Sequence, residues 1–240
     1  RFANCDLWCS HPLTLLYHSR ITSVFLIQLA KFFFSINVWF ISSGWSNPPT
    51  FLHLGGFMDW YVVDKKYINY LTQFDSRVGY VEYGERLKLH VGILLTIGDF
   101  HYYVPISSAK PKHQKMSNSL DFHKLQDEST GYLYAVLNLN NMMPVPDNCL
   151  TQLKYNQVES FRSFSNEKEK NDYVYLLQKE KSLIDNVQDT LQNKALKLYQ
   201  KCIAKPDSSL AARCCDFKML EEKCSSYSNF IDLYKSKLKN

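Results

Sequence analysis

The fold is decided by the stretch LKLHVGILLTIGDFHYYVPI, which runs from Leu87 to Ile106. Leu87 to Ile97 is rich in leucine, isoleucine and valine, a composition typical of a buried β-strand. Gly98 and Asp99 form a two-residue turn of the kind that connects β-hairpins. Phe100 to Ile106 is the returning strand, and two strands joined by so short a turn must be antiparallel.

Strand patterns flank this hairpin on both sides, and a helix precedes it. Trp60 to Val63 predicts a short strand, and Asp64 after it is a suitable N-cap for a helix. Apolar residues then follow at helical spacing: Tyr67, Ile68, Leu71 and Phe74. After the hairpin, Phe122 to Leu125 is predicted to be a short buried stretch, and strands are predicted at Tyr132 to Leu139 and Met142 to Val145. Two polar stretches, Asp75 to Glu85 and Ser107 to Ser119, are predicted to be loops.

The chain changes character after Pro146 and becomes helical. Asn171 to Ala204 carries apolar residues three, four and seven positions apart, which predicts one amphipathic helix or two in line. Pro206 stops this helix, and Asp207 to Ser209 caps a further helix from Leu210 to about Cys224. An antiparallel sheet followed by helices is an α+β fold.

The overall composition excludes several classes of protein. The 240 residues are 45% hydrophobic and 21% charged, which is typical neither of a disordered chain nor of a protein with many membrane spans. The net charge of +5 is compatible with a polyanionic partner without establishing one. Seven cysteines, an odd number, indicate reduced thiols in a cytoplasmic protein.

No metal or cofactor is predicted from the motifs. The chain has no glycine-rich nucleotide cradle, no HExxH motif and no acidic cluster of the kind that holds magnesium. A zinc site built from Cys214, Cys215 and Cys224 is disfavoured because adjacent cysteines lack the CxxC spacing of zinc ligands.

The first 57 residues differ from the rest of the sequence. They contain only four charged residues, hold three of the four tryptophans and have no methionine before Met58. Ile21 to Ile41 is long enough to cross a bilayer, but Lys31 at its centre costs about 3 kcal/mol there. Three interpretations stay open: a misplaced start with the protein beginning at Met58, which we favour; a membrane anchor; or a hydrophobic extension packed on the body. The predicted division is therefore 1–57 and 58–240.

The segment after the returning strand carries the candidate chemistry. It reads Ser107-Ser108-Ala109-Lys110-Pro111-Lys112-His113, so two hydroxyls stand shortly before a lysine. Hydroxyls donate hydrogen bonds to phosphate oxygens and lysine supplies a positive charge, which predicts an anion site. A solvated, charged loop is the alternative interpretation.

Further basic residues widen this segment into a patch that is interspersed with tyrosines. The basic residues are Lys65, Lys66, Arg86, Lys88, Lys112 and Lys115, and the tyrosines are Tyr67, Tyr70, Tyr80, Tyr83, Tyr102 and Tyr103. This mixture suits single-stranded nucleic acid, because bases stack on aromatic rings while cations neutralise phosphates. For Tyr70, Tyr102 and Tyr103 a place in the hydrophobic core is preferred.

Four stretches match a known family in order and separation. They are MDWYVVDKKYINYLTQFD (58–75), LKLHVGILLTIGDFHYYVPISSAK (87–110), LNLNNMMPVP (137–146) and DFKMLEEKC (216–224). With them the chain resembles the endoribonuclease toxins of type III toxin–antitoxin systems, the ToxN/AbiQ family. The resemblance covers 58–240 and none of 1–57. It implies a compact, strongly curved antiparallel sheet like the SH3-like barrel of the MazF/Kid toxins, with surrounding helices and a helical C-terminal part.

The resemblance also implies an activity and a partner. The activity is sequence-specific, metal-independent cleavage of single-stranded RNA, which leaves 2′,3′-cyclic phosphate and 5′-hydroxyl ends. The partner is an RNA antitoxin of tandem repeats, which the toxin processes and which inhibits it in a closed hetero-oligomer, as part of abortive infection in phage defence. Two alternatives stay open: a MazF-like ribonuclease toxin with a protein antitoxin, and a non-catalytic RNA-binding module.

Residue by residue, the resemblance implies a catalytic set of Tyr67, Tyr83, Ser107, Ser108 and Lys110. Lys110 would stabilise charge, the serines would orient the phosphate, and the tyrosines would position the strand or relay a proton. Ala109 stands where the family has a proline. The predicted RNA-binding set is Lys65, Lys66, Tyr80, Arg86, Lys88, Lys112, His113 and Lys115.

Overall fold

The structure of the protein is a computed structural model that describes residues 58–79, 82–83 and 86–238. The predictions made for residues 1–57, including the candidate membrane span, and for Tyr80 lie outside these residues. Within the described part of the chain, no helix is long and apolar enough to cross a membrane.

Seven strands form one antiparallel sheet, and two more form a separate short hairpin. The strands of the described residues are β1 (Asp59–Val63), β2 (Glu82–Tyr83), β3 (Arg86–Leu87), β4 (Leu89–Ile97), β5 (Phe100–Ser108), β6 (Phe122–Gln126), β7 (Leu133–Asn138), β8 (Met143–Pro144) and β9 (Leu150–Gln152). The main sheet has the order β6-β7-β5-β4-β1-β9, with β8 also paired to β5, and β2 pairs with β3. Since β6 and β9 end this row, the sheet is open among the described residues.

Two of the helices in the described residues lie between strands, and the other four follow the sheet in sequence. The α-helices of the described residues are α1 (Lys65–Thr72), α2 (Pro111–Gln114), α3 (Glu167–Asn186), α4 (Gln188–Ala204), α5 (Ser209–Arg213) and α6 (Phe217–Leu238). The predicted cap of α1 is confirmed, because the Asp64 carboxylate accepts a hydrogen bond from the Lys66 N–H at 2.6 Å. An antiparallel sheet with these helices confirms the α+β fold class.

The strand β5 is two residues longer than predicted. Ser107 and Ser108 were expected in a loop, but they pair with Val136 and Ala135 of β7. The prediction was wrong here because the available partner strand lies far away in sequence. The same two polar stretches also contain the strand β2 and the short helix α2, both expected to be loop.

The single helix predicted from Leu210 to Cys224 is wrong, because the chain breaks between α5 and α6. At the break the Cys215 N–H donates to the Asn140 carbonyl at 2.8 Å. The next N–H, of Asp216, donates to the Asp75 carboxylate at 2.8 Å. These tertiary hydrogen bonds replace helical ones, so amphipathic spacing alone does not reveal the break. The Asn171–Ala204 region forms two helices, α3 and α4, of which α3 begins at Glu167.

One buried carboxylate joins the sheet to the C-terminal helices. Glu221 of α6 is 5% exposed. Its Oε1 accepts hydrogen bonds from the hydroxyls of Tyr102 (2.8 Å, β5) and Tyr199 (2.7 Å, α4), and Lys218 Nζ lies 2.8 Å from its Oε2. Burial, followed by the neighbouring carboxylate, raises the pKa of Tyr102 well above its usual value, so the hydroxyl stays a donor. A buried charge with this many partners is stable only while all of them stay in place.

We expect Glu221→Leu to lower the free energy of unfolding by about 3 kcal/mol, because it leaves two buried tyrosine hydroxyls and Lys218 without their acceptor. Glu221→Gln keeps an acceptor and should cost less. Urea denaturation measures both, with the exposed neighbour variant Glu222→Leu as a control expected to stay within about 0.5 kcal/mol of wild type. Equal stability of the Glu221→Leu and Glu222→Leu proteins would contradict the anchoring role.

A second buried polar group lies in the centre of the sheet. His90 of β4 is 2% exposed, and its Nδ1 has no hydrogen-bond partner among the described residues. Burial, followed by the positive charge of Lys88, lowers the pKa of His90 to about 3. The unfolded chain therefore binds more protons than the folded one between about pH 3 and 6.5. The stability that neutral His90 contributes is complete above pH 6.5 and is lost as the pH falls toward 3.

His90→Leu removes this titration and tests it. We expect the difference in free energy of unfolding, variant minus wild type, to increase by about 2 kcal/mol when the pH is lowered from 7.5 to 5.0. The reason is that His90 stays neutral in the folded protein over the roughly 1.5 pH units below 6.5 in which the unfolded histidine takes up a proton. Comparing the two proteins at each pH cancels the titration of all other groups. A difference between variant and wild type that is the same at both pH values would contradict a buried neutral His90.

Candidate active site

The register of the sheet brings four strand ends together. The pairs that fix it are Val62–Leu89, His90–Pro105 and Ser108–Ala135. The end of β1, the start of β4, the end of β5 and the start of β7 therefore lie side by side. We call this edge of the sheet the Ser108 end.

Five of the predicted site residues lie at the Ser108 end. Ser107 and Ser108 finish β5, and Lys110 follows them directly. Lys88 precedes the first residue of β4, and Lys65 begins α1 immediately after the Asp64 cap that follows β1. Residues that are up to 45 positions apart in sequence are thus gathered by strand pairing at one edge.

The two serines differ in their burial and in their hydrogen bonding. Ser107 is half-buried, and its Oγ accepts a hydrogen bond from the Asn138 Nδ2 at 3.3 Å. Ser108 is exposed. Asn138 was not among the predicted site residues, although it lies in the LNLNNMMPVP stretch. Its link to Ser107 depends on the pairing of β5 with β7, which the sequence does not display.

The segment after β5 is held in place by short-range hydrogen bonds. The Ala109 N–H donates to the Tyr134 carbonyl at 3.4 Å, a bond that a proline at this position does not make. The Lys110 N–H donates to His113 Nδ1 at 3.2 Å, and the His113 N–H donates to the Lys110 carbonyl at 2.8 Å. The backbone of Lys110 is therefore fixed, while its side chain is exposed.

His113, which was predicted to bind RNA, is buried beneath this segment. Its ring is 7% exposed and lies 5.9 Å from the ring of Phe122. Burial, followed by the charges of Lys112 and Lys110, lowers the pKa of His113. The unprotonated Nδ1 can therefore keep accepting the Lys110 N–H. In this conformation the buried His113 fixes the backbone of Lys110 by hydrogen bonds. Its contact with RNA stays a prediction.

Lys88 is less exposed than the other lysines predicted for the site. It is half-buried, and burial lowers the pKa of its ammonium group. A methyl group added at Gly79 would lie 3.0 Å from Lys88 Nζ. The absence of a side chain at Gly79 is therefore what makes room for this ammonium group.

The remaining predicted cations lie on the surface around the site. Lys65, Lys66, Lys112 and Lys115 are exposed. The predicted tyrosine Tyr83 pairs through its backbone with Arg86 in the β2–β3 hairpin, just before Lys88. Among the described residues, no group of three or more histidine, cysteine, aspartate or glutamate side chains is arranged to hold a metal ion.

Tyr67, predicted to be catalytic, is fully buried in the structure. Its hydroxyl donates to the Pro144 carbonyl at 2.8 Å, and burial raises its pKa strongly. Pro144 pairs with Tyr102, which stands five residues before Ser107 and thus roughly 16 Å away along β5. The structure does not bring the Tyr67 hydroxyl next to the serines, so its role in the reaction stays a prediction.

Two curated proteins resemble the chain in sequence. The endoribonuclease AbiQ of Lactococcus lactis subsp. lactis is 28% identical over 177 residues, which is 70% of this chain and 88% of AbiQ. The endoribonuclease ToxN of Bacillus thuringiensis subsp. kurstaki is 28% identical over 172 residues, 70% of this chain and 82% of that protein. These relatives, together with the antiparallel sheet and the lysines at its Ser108 end, define the chain as an endoribonuclease.

A solved structure and a family profile show to which family of endoribonucleases the chain belongs. The toxin in a type III toxin–antitoxin structure, where a non-coding RNA pseudoknot selectively inhibits the toxin, has a TM-score of 0.62 at 28% identity, covering 72% of this chain and 99% of that one. The profile of the family described as "Toxin ToxN, type III toxin–antitoxin system" matches residues 59–225. The chain belongs to this family, which confirms the resemblance found in its sequence.

Tyr67→Phe separates a structural from a catalytic role of this tyrosine. We expect the free energy of unfolding to fall by about 1 kcal/mol, because the Pro144 carbonyl loses its buried donor. Tyr70→Phe, in the same helix and half-buried, is the matched control. Denaturation and RNA cleavage are measured on both variants. A Tyr67→Phe protein as stable as wild type would contradict the structural role, and a specific loss of cleavage would support the catalytic one.

Proposed function

We propose that this chain is the toxin of a type III toxin–antitoxin system and cleaves single-stranded RNA, in a sequence-specific and metal-independent way, at the Ser108 end of its sheet. The observation that carries this proposal is the convergence of Lys88, Ser107, Ser108 and Lys110 through the pairing of β4, β5 and β7. Hydroxyls and lysines gathered in this way suit a substrate whose reacting group is a phosphate.

The proposed reaction is an internal transfer. The ribose 2′-oxygen attacks the adjacent phosphorus while the bond from phosphorus to the 5′-oxygen breaks. The 2′-hydroxyl loses a proton and the departing 5′-oxygen gains one, so the products are a 2′,3′-cyclic phosphate and a 5′-hydroxyl. The enzyme must align the two oxygens and stabilise negative charge on the non-bridging oxygens of the phosphate.

The geometry supports a role for each residue at the Ser108 end. Ser108, exposed at the end of β5, is placed to donate to a phosphate oxygen, and Ser107 is oriented by Asn138. Lys110 has a fixed backbone and an exposed ammonium group, which suits charge stabilisation. The lowered pKa of Lys88 makes its ammonium group a better proton donor than an exposed lysine, so we assign it to the proton transfer.

The donor set also supports cleavage without a metal ion. Magnesium is held in proteins chiefly by carboxylate oxygens. The side chains that we propose to act on the phosphate, those of Ser107, Ser108, Lys88 and Lys110, are instead hydroxyls and ammonium groups, and a lysine supplies directly the positive charge that a metal ion would bring. Tyr83 and Tyr67 remain proposed members of the site, with the positions described above.

An RNA antitoxin of tandem repeats is the partner that we propose. The solved relative whose toxin is inhibited by an RNA pseudoknot supports an RNA rather than a protein inhibitor. Exposed cations around the site, Lys65, Lys66, Lys112 and Lys115, supply charge for a folded RNA. We further propose that the toxin trims this RNA, that both form a closed hetero-oligomer, and that the system acts in the cytoplasm against phage. In this proposal residues 58–240 form the endoribonuclease domain.

Cleavage of a long, unstructured RNA transcript in EDTA tests the reaction. Wild type should produce cyclic-phosphate and 5′-hydroxyl ends, identified by mass spectrometry. Lys110→Ala should lower the rate about 10²- to 10³-fold, as expected for the loss of one charged group that stabilises the transition state.

The matched control is Lys112→Ala, which removes an exposed lysine two residues further on and should lower the rate less than tenfold. Full activity of a folded Lys110→Ala protein would remove Lys110 from the centre of the reaction. Intact RNA with folded, RNA-free wild type would instead favour the non-catalytic RNA-binding module.

A further inference from the structure

Two tyrosines at the start of β7 form an aromatic pair that faces solvent. Tyr132, immediately before the strand, is 61% exposed. Its ring contacts that of Tyr134, with 4.6 Å between the centroids and 73° between the planes. A ring exposed to this extent adds little to the packing of the core, because the buried area is what stabilises. Folding alone therefore does not account for this pair.

Strand pairing places the aromatic pair beside the Ser107–Lys110 segment. Ser108 pairs with Ala135, and the next N–H, of Ala109, donates to the Tyr134 carbonyl. Since β5 and β7 are antiparallel, the chain leaving β5 runs past Tyr134 in the direction of Tyr132. The two tyrosines thus lie at the start of the strand beside the segment that we propose to bind the reacting phosphate, and their side chains share the face of Ser107, which pairs with Val136.

The backbone of Tyr132 is held on both sides. Its carbonyl accepts from the Asp127 N–H at 2.9 Å, and its N–H donates to Thr130 Oγ1 at 3.3 Å. Gly131 before it has a φ of +69°, a conformation that favours glycine and tightens the turn. The ring is therefore presented from a fixed backbone, which lowers the entropy cost of binding to it.

Acidic residues lie on one side of the tyrosine pair and lysines on the other. Asp127 and Glu128 lie in the turn that leads to Tyr132, and they repel phosphate groups. Lys110 and Lys112 lie on the other side, after the end of β5. A nucleotide bound here is therefore oriented with its phosphate toward the lysines and its base toward the rings.

We propose that Tyr132, supported by Tyr134, is a platform on which one unpaired base of the bound RNA stacks. This inference rests on the proposed function, because it extends the same RNA site by one nucleotide. Base–aromatic stacking is tolerant of sequence, since every base has a π-face. Tyr132 therefore contributes affinity and places the strand, while base recognition lies elsewhere in the site.

The test is RNA binding by the full chain, using 2′-O-methyl 12-mers of random and homopolymer sequence. These probes lack the attacking hydroxyl, so they stay intact during the measurement. Fluorescence anisotropy should give a Kd about tenfold weaker for Tyr132→Ala, which is within the range known for one stacked base. Tyr132→Phe and Tyr132→Trp keep a ring and should bind like wild type.

The matched control is Tyr175→Ala, because Tyr175 of α3 is 58% exposed yet belongs to the helical part of the chain. It should leave the Kd unchanged. The Tyr132→Ala effect should be the same at 50 and 300 mM salt, because stacking does not release counterions, whereas a phosphate contact weakens with salt. Thermal unfolding confirms that each variant is folded.

Three results would overturn the inference in distinguishable ways. If the Tyr132→Ala protein binds the RNA with the same Kd as the Tyr175→Ala protein, the stacking platform is excluded and the proposed ribonuclease activity is unaffected. An equal loss in Tyr132→Phe would show that the hydroxyl, not the ring, makes the contact. Failure of folded wild type to bind any of the 12-mers would remove the platform, and its cleavage assay would then show whether the proposed function fails with it.

Discussion

The rest of the structure is arranged around one edge of β5, which pairs with both β8 and β7. Along one edge β5 pairs with β4, but along the other it pairs first with β8 and then with β7. Since β7 and β8 are both antiparallel to β5, the chain between them leaves this edge and returns to it, and it does so through a 3₁₀ helix at Leu139–Asn141. Asn140 secures the turn, since its side chain donates to the Arg213 carbonyl and its carbonyl accepts from the Cys215 N–H. The break between α5 and α6 therefore supplies two of the hydrogen bonds that hold this segment.

The two halves of β5 serve different purposes as a result. The half that contains Tyr102 is buried, and through Glu221 it ties the sheet to α4 and α6. The half that ends with Ser108 reaches the surface, where β7 gives it Asn138 and Tyr134 as neighbours. A rigid, buried half thus positions an accessible half, which is the arrangement that a site for a flexible RNA strand requires.

The proposed site combines side chains that are each positioned by a neighbouring residue. His113 supports Lys110, Gly79 makes room for Lys88, and Asn138 orients Ser107. None of these supporting residues need touch RNA for the site to depend on them. Their common effect is to fix the positions of hydroxyls and cations before substrate arrives, which is what electrostatic stabilisation of a transition state demands.

Local patterns in the sequence determined the hairpin from Leu87 to Ile106, the Asp64 cap and the class of the fold, because turn geometry, capping and periodicity act between near neighbours. Ordered motifs also determined the family and the segment with Ser107, Ser108 and Lys110. That the serines belong to β5, that Tyr67 is buried and that Tyr132 lies beside the proposed site could be learned only from the three-dimensional structure. Those outcomes depend on which distant strand pairs with β5 and in what register, and that choice is made by long-range packing that no local pattern contains.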